Sequence, residues 1–224
     1  MATKAPRAAG ARVPLSRDRV LRAAIGLADS GGIESLSMRR LGQELGVEAM
    51  SLYNHVANKD DILNAIADMV VTEIELPSPG AAWKADLRRS AISAHGALLR
   101  HPWAASLLLS STTASEARMR YMDAILGTLR TAGFSAELTD HAYHALDSHI
   151  MGFTLWVVSM NLGSDEDLRA LAADFLRGIP RTELPHLVEH VEQHLKERST
   201  DDEGEFVFGL DLILDGLERA RTKG

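Results

Sequence analysis

Cysteine is absent from the 224 residues, which excludes disulfides and thiolate chemistry and fits a reducing compartment. Aromatic residues are sparse, at 5%. Long hydrophobic runs are missing too: Ile150 to Met160 is about half the roughly 20 apolar residues of a membrane span. The basic N-terminus has no apolar stretch behind it, so no secretory signal is read there and a cytoplasmic protein without a membrane partner is expected. Strand-like alternation of useful length, solenoid repeats, a G-x-S-x-G elbow, a P-loop and a Rossmann glycine fingerprint are all lacking. No catalytic residue, cofactor or resident metal is therefore expected.

What is present describes an ordinary globular chain, 46% apolar and 25% charged, with ample core. The net charge of −7 is unevenly divided. Residues 1–60 hold nine Lys/Arg and six Asp/Glu, a balance of +3, and residues 61–224 hold fifteen and twenty-five, a balance of −10. A basic front on an acidic body presents its positive face to phosphate while the body is repelled. Lys4, Arg7 and Arg12 sit in an Ala/Gly/Pro tail over residues 1–15. That tail reads either as a flexible solubilising extension or as a basic arm that touches DNA.

Apolar periodicity predicts an all-α protein. A first helix over Arg17 to Ser30 has Ser16 as N-cap and Gly31-Gly32 as its stop. Ser37 caps a second through Leu45, a third runs from about Glu48 to Val56, and a fourth from Asp60 to Leu76. Pro77-Ser78-Pro79-Gly80 is the strongest internal break. It separates an N-terminal helical domain, residues 16–76, from a larger helical domain, 80–224. Further helices are expected near 82–100, 102–110, 115–132, 136–161, 165–178, 183–197 and 204–221.

Residues 37–56 have the form of a helix-turn-helix. Leu41, Leu45, Val47, Leu52 and Val56 can form the small core between crossing helices. Gly42 allows close approach, and Gly46 permits a turn that a side chain would resist. At 100° per residue, Met50, Ser51, Asn54 and His55 lie away from that core, as base-reading residues should. Tyr53 falls at the edge with its hydroxyl available to a phosphate. Arg39 and Arg40 stand in a first helical turn, where a cation opposes the macrodipole by about 0.3–1 kcal/mol, so an anionic partner there removes a penalty. Lys59 can add a backbone contact. A three-helix subdomain with a solvated polar face would also turn Ser and Asn outward, but it leaves the charge division unexplained.

These residues carry a family resemblance. Ala23-Ala24 and Leu27, Gly32-Ile33-Glu34-Ser35-Leu36-Ser37-Met38-Arg39, Leu41, Leu45-Gly46-Val47, Ser51-Leu52-Tyr53, His55-Val56 and Asn58-Lys59 together resemble the DNA-binding domain of the tetracycline-repressor family. The C-terminal part is similar to the tetracycline-repressor branch at Trp83, Leu87-Arg88, Gly133-Phe134, Phe153-Thr154-Leu155 and Phe206 to Glu218. The resemblance implies a homodimeric regulator, repression being the commoner role. Two recognition helices would read successive major grooves of a palindromic DNA operator, about 34–36 Å apart. A small-molecule inducer in the C-terminal core would shift the fourth helix and misalign them. DNA contacts carried over are Arg39, Ser51, Tyr53, Asn54, His55 and Lys59. Asn54 replaces an aromatic residue of the tetracycline repressors, which implies a different operator.

Dimerisation also has support in the pattern. The segment Ile150 to Leu162 is apolar nearly all round and needs covering on more than one side. Phe206, Leu210, Ile213, Leu214 and Leu217 form a second apolar stripe, and these residues with Phe153 and Val157 are the expected interface. The inducer pocket is expected from His95, Trp103, Leu107, Met119, Met122, His144, Asp147, Met151 and Trp156, a set suited to a large apolar molecule with a few orienting polar groups. The resemblance also argues against a tetracycline–magnesium site. Leu108 stands at the metal-binding His position, Met160 at the acidic position supplied by the partner, and Ser90 at the drug-binding Asn.

Two competing classes share the sequence. His186-Leu187-Val188-Glu189-His190 matches the H-x-x-E-H pattern of a zinc hydrolase, continued by His194, although an amphipathic helix with exposed histidines has the same spacing. A helical interaction protein whose helix-turn-helix no longer binds DNA is the other.

Overall fold

The computed structural model describes residues 14–78, 80, 82–110, 115–160, 165–197 and 202–222. Lys4, Arg7 and Arg12 of the N-terminal tail lie outside the described residues. Among the described residues the chain forms eleven α-helices and one 3-10 turn, and no strand.

The chain separates into two compact units, Met1–Ile66 and Ala67–Gly224. The division falls inside a helix, whereas the sequence placed its break at Pro77–Gly80.

In the N-terminal unit, α1 spans Arg17–Gly31, α2 Met38–Leu45 and α3 Ala49–Leu52. Ser16 and Ser37 each accept a hydrogen bond from the backbone N–H three residues on, Arg19 and Arg40, which satisfies an orphan donor at each helix start. The 3-10 turn Ile33–Ser35 links α1 to α2, and Ser35 Oγ donates to the Leu27 carbonyl at 3.0 Å. Val20, Ala24, Leu27 and Ala28 of α1 pack with Leu36, Leu41, Leu52, Val56, Ile62 and Ile66 to form the core of this unit.

Helix α4, Lys59–Thr72, crosses the division. It ends four residues earlier than the periodicity suggested. Glu73 and Ile74 make i→i−3 bonds to Val70 and Val71, and Glu75 N–H donates to Ser93 Oγ at 2.9 Å. Pro77 disfavours helix at Leu76 before it, so the backbone leaves the α conformation early.

The C-terminal unit holds α5 (Trp83–Arg100), α6 (Pro102–Ser110), α7 (Glu116–Thr131), α8 (Ala136–Met160), α9 (Asp165–Gly178), α10 (Pro185–Glu197) and α11 (Asp202–Arg221). Helix α8 is the axis of this unit, packed by α5, α6, α7 and α11. Trp83 meets Phe134 edge-to-face at 5.0 Å, and the Arg221 guanidinium lies 5.5 Å from the Trp83 ring while donating to the Ala132 carbonyl. Ion pairs tie α5 to α11: Lys84 to Asp215 at 2.6 Å and to Glu218 at 2.8 Å, and Arg88 to Asp211 at 2.8 Å. Phe206 is sandwiched between the rings of His95, at 4.0 Å, and His149, at 4.9 Å. His149 Nε2 donates to the Phe206 carbonyl at 2.9 Å, and a side chain at Gly209 would reach within 2.6 Å of that imidazole. A residue larger than glycine at 209 would therefore have to displace the His149 imidazole from the Phe206 carbonyl.

That packing turns much of the expected dimer surface inward within the single chain. Phe206, Leu210, Leu214, Leu217 and Val157 are buried within the chain, and Phe153 and Ile213 are half-buried. The apolar stripe of α11 covers its own α5 and α8. What remains outward on α8 and α11 is a different set: Trp156, Met160, Phe208 and Leu212, between 40% and 68% exposed.

Candidate nucleic-acid interface and ligand cavity

The helix-turn-helix is built by its glycines. Gly46 sits in the left-handed region at φ 67°, ψ 34°, and its N–H and that of Val47 bond to the Gln43 and Gly42 carbonyls. A residue with a Cβ would be strained at this turn. At Gly42 the requirement is space, since a Cβ would lie 2.9 Å from the Val47 carbonyl oxygen and 3.2 Å from the Ala49 nitrogen. Leu41, Leu52 and Val56 form the buried seam, while Leu45 and Val47 are only half-buried.

Helix α3 is shorter than predicted. Regular helix stops at Leu52 and Tyr53 to His55 form a turn, though the Val56 N–H still reaches the Leu52 carbonyl at 3.1 Å. Three interactions end it. Arg17 Nη1 donates to the His55 carbonyl at 3.1 Å. Asp61 accepts the Ala57 N–H at 2.9 Å. Asn58 Oδ1 accepts the Asp61 N–H at 2.8 Å, starting α4. Arg17 also grips Asp61 through two nitrogens, at 2.7 and 2.8 Å. The Arg17 hydrogen bonds and the Ala57 N–H hold the Asp61 carboxyl down at about 2, from an ordinary 3.8, and the same pairing raises Arg17. This clamp fixes the exit of α3, and no sequence pattern announced it.

On the outer side Met50 is 73% and Tyr53 46% exposed. Asn54, Arg39 and Lys59 are exposed, and Ser51 and His55 are half-buried. Among the described residues the side chains of Arg39 and Lys59 form no hydrogen bond or ion pair. These two cations, and Arg40 with them, are thus left for phosphate, while Arg17 and Arg22 are engaged by Asp61 and Asp18.

The C-terminal unit contains a cavity of about 240 Å³ walled mainly by apolar residues, with Met119, Met122, Asp147 and Met151 in its lining. These four were expected there. The other five expected residues do not line it. His95 is buried against Phe206, with Nδ1 2.7 Å from Thr154 Oγ1. Trp103 is buried beside His101. Leu107 is half-buried elsewhere. His144 turns to solvent, 3.6 Å from Asp140, and Trp156 lies on the outer face of α8, 40% exposed. His95, Leu107 and His144 each stand one position from a residue that does line the cavity, and 100° of rotation exchanges interior for exterior.

Tyr121, Tyr143 and Arg118 also line the cavity, and the sequence had not placed them there. The signal was available in Tyr143, Asp147, Ile150 and Met151, which follow the i, i+4, i+7, i+8 spacing of one helix face. Burial raises the Asp147 carboxyl above its ordinary range, and nearby His144 offsets part of this. Burial also raises Tyr121 and Tyr143, and the Asp147 charge pushes both further. Leu108 places an apolar group on the cavity wall, and Ser90 is buried away from it.

The pattern "Bacterial regulatory proteins, tetR family" matches residues 20–66, and "Tetracyclin repressor-like, C-terminal domain" matches residues 76–221. The chain belongs to the tetracycline-repressor family. It is a helix-turn-helix transcriptional regulator. Tetracycline repressor protein class D of Escherichia coli is 33% identical over 207 residues, covering 91% of this chain and 89% of the repressor. The transcriptional repressor DrrR1 of Streptomyces coeruleorubidus is 33% identical over 218 residues, 93% and 79% of the two chains. The solved structure of Streptomyces coelicolor ActR in complex with actinorhodin superposes with a TM-score of 0.76 at 30% identity, over 93% of this chain and 99% of ActR.

These relatives are regulators, which removes the motive for a hydrolase on α10. His186, Glu189 and His190 are exposed there, and the side chain of His194 lies outside the described residues. No group of three or more His, Asp or Glu that could hold a metal ion occurs among the described residues. No helix among them is long and apolar enough to cross a membrane.

Proposed function

We propose that this tetracycline-repressor-family protein acts in the cytoplasm as a homodimeric repressor of a palindromic operator, and that a small molecule in the C-terminal cavity releases it. The observation that carries the DNA reading is the helix-turn-helix itself, with a left-handed Gly46, no room for a Cβ at Gly42, and an outer face offering Met50, Tyr53 and Asn54. Beside that face stand Arg39 and Lys59, unpaired among the described residues. Arg39, Tyr53 and Lys59 are assigned to phosphate, and Met50, Ser51, Asn54 and His55 to base edges. Asn54 can pair with adenine through two hydrogen bonds. For release, Val71 in the last turn of α4 lines the cavity, and Lys59 opens the same helix. For dimerisation, Trp156 and Met160 on α8 and Phe208 and Leu212 on α11 present two exposed i, i+4 apolar pairs.

The test is binding to the intergenic DNA upstream of the protein's own gene. Arg39→Ala is expected to weaken binding to all sequences alike and to lower the salt slope by about 0.9 for each phosphate no longer neutralised. Asn54→Ala is expected to erase discrimination at one base pair, about 1–3 kcal/mol. Unchanged affinity and unchanged sequence preference in both variants would remove α3 from the interface.

A further inference from the structure

We propose that the molecule taken by the C-terminal cavity is a cation, a flat apolar body bearing a protonated amine, with Asp147 as its counter-ion. This rests on the reading of that cavity as the inducer site.

Asp147 projects from α8 into a cavity walled mainly by aliphatic and methionine side chains, and among the described residues no hydrogen bond or ion pair reaches its carboxylate. Tyr121 and Tyr143 line the same cavity, and their hydroxyls likewise form no hydrogen bond among the described residues. Three half-buried polar groups around one apolar space are therefore without a hydrogen-bond partner among the described residues and stay available to a ligand. The Asp147 charge acts on both phenols, so the three form one cluster. Both phenols stay neutral and can each donate one hydrogen bond and accept another.

The other charges at the cavity do not balance this carboxylate. Arg118 lines the wall, but its Nε lies 3.2 Å from Asp68, which matches its charge. His144 is exposed and faces Asp140 at 3.6 Å. Of the two charged residues in the lining, Arg118 thus has its counter-charge in Asp68 outside it, and Asp147 has no ion-pair partner among the described residues. An anionic ligand would add a second like charge there, and a neutral one would leave the carboxylate without a counter-charge. An ammonium group supplies both charge and donors to Asp147, and the tyrosine rings and methionine sulfurs favour a flat cationic or aromatic body. The volume of about 240 Å³ lies just under the roughly 300–1,000 Å³ of drug-sized sites, which points to a small ligand.

Three tricyclic probes of nearly equal shape separate the alternatives: 9-aminoacridine, cationic at neutral pH, neutral acridine, and anionic acridine-9-carboxylate. Their affinities for the full-length protein without DNA are measured by calorimetry, for the wild type, Asp147→Asn and Met122→Trp. The last variant fills the cavity from a rim position that is 40% exposed, so the fold is retained. The expected result is that the cation binds about tenfold or more tighter than acridine, that the anion binds weakest, and that Asp147→Asn removes the cation's advantage while leaving acridine unchanged. Equal binding of cation and neutral probe, or an advantage that survives Asp147→Asn, with all binding abolished in Met122→Trp, overturns the cation assignment and leaves the inducer cavity standing. Binding indifferent to Met122→Trp, or no binding by any probe, overturns the cavity reading and the proposal with it.

Discussion

Replacing Gly42 by alanine sets two effects of opposite sign against each other, and the structure decides between them. Alanine is favoured over glycine inside a helix by about 0.5–1 kcal/mol, so on propensity alone the variant should be more stable. The added methyl, however, would stand 2.9 Å from the Val47 carbonyl oxygen, 3.2 Å from the Ala49 nitrogen and 3.3 Å from the Ala49 Cα. All three are backbone atoms of the turn and of α3, and none can swing aside. Overpacking of this kind costs about 1–3 kcal/mol, which leaves a net loss of about 1 kcal/mol and a displaced α3. Gly26 provides the control, since it lies inside α1 with nothing within 4 Å of a Cβ. Gly26→Ala should therefore stabilise by about 0.5–1 kcal/mol, so the two substitutions differ by roughly 2 kcal/mol. Hydrogen exchange of the α1 and α2 amides reads this difference locally, and operator affinity reads the position of α3. Gly42→Ala should bind operator about tenfold or more weakly, with Gly26→Ala unchanged. A Gly42→Ala protein as stable as Gly26→Ala, with normal affinity, would refute the claim that close approach at this glycine sets the helix crossing.

Two further outcomes can be measured directly. Asp61 titrates at about 2 when folded, against an ordinary 3.8, so its contribution is present above about pH 4 and is lost as pH falls from there toward 2. Two units would amount to about 2.5 kcal/mol, but the pair is 46% and 28% exposed, and solvent screening reduces this to roughly 1 kcal/mol. Asp61→Asn should lower the urea midpoint of the N-terminal unit at pH 7 and not at pH 2, and an equal effect at both would exclude the ion pair as its cause. Phe208→Glu with Leu212→Glu, at positions 68% and 56% exposed, should give a folded monomer in sedimentation and abolish operator binding. Burial of charge at Leu210 or Leu214 should instead unfold the chain, so a double variant that remains dimeric would place the interface elsewhere.

Much of the helical framework was legible because its signals are local. Ser16 and Ser37 cap α1 and α2 through side-chain oxygens three residues from the N–H groups they accept, and Gly46 adopts the left-handed turn that only its neighbours in sequence require. The exposed face of α3 followed from helical geometry, since Met50 and Tyr53 oppose the Leu52–Val56 seam. The Arg17–Asp61 clamp was not legible, because its partners are 44 residues apart and neither stands out in sequence. The early end of α3 depends in part on the same distant residue, since Arg17 also holds the His55 carbonyl 38 residues away.

The C-terminal unit shows where local pattern stops. Periodicity identifies an apolar stripe but not what covers it. The Phe206, Leu210, Leu214 and Leu217 stripe would suit a partner subunit or the chain's own α5 and α8, and packing assigned it to the latter. Helix α8 is apolar on several sides, so choosing Tyr143 over His144 for the cavity required knowing its rotation against α5 and α7.

Sequence alone determined the order of the helices, the Ser16 and Ser37 caps and the glycine-dependent turn, all of which arise from interactions within a few residues. Tertiary packing decided which apolar faces are consumed internally, which stay exposed on α8 and α11, and that a lone carboxylate is left facing an apolar cavity. Those outcomes depend on how whole helices rotate and approach, and a rotation of one residue exchanges one set of side chains for another.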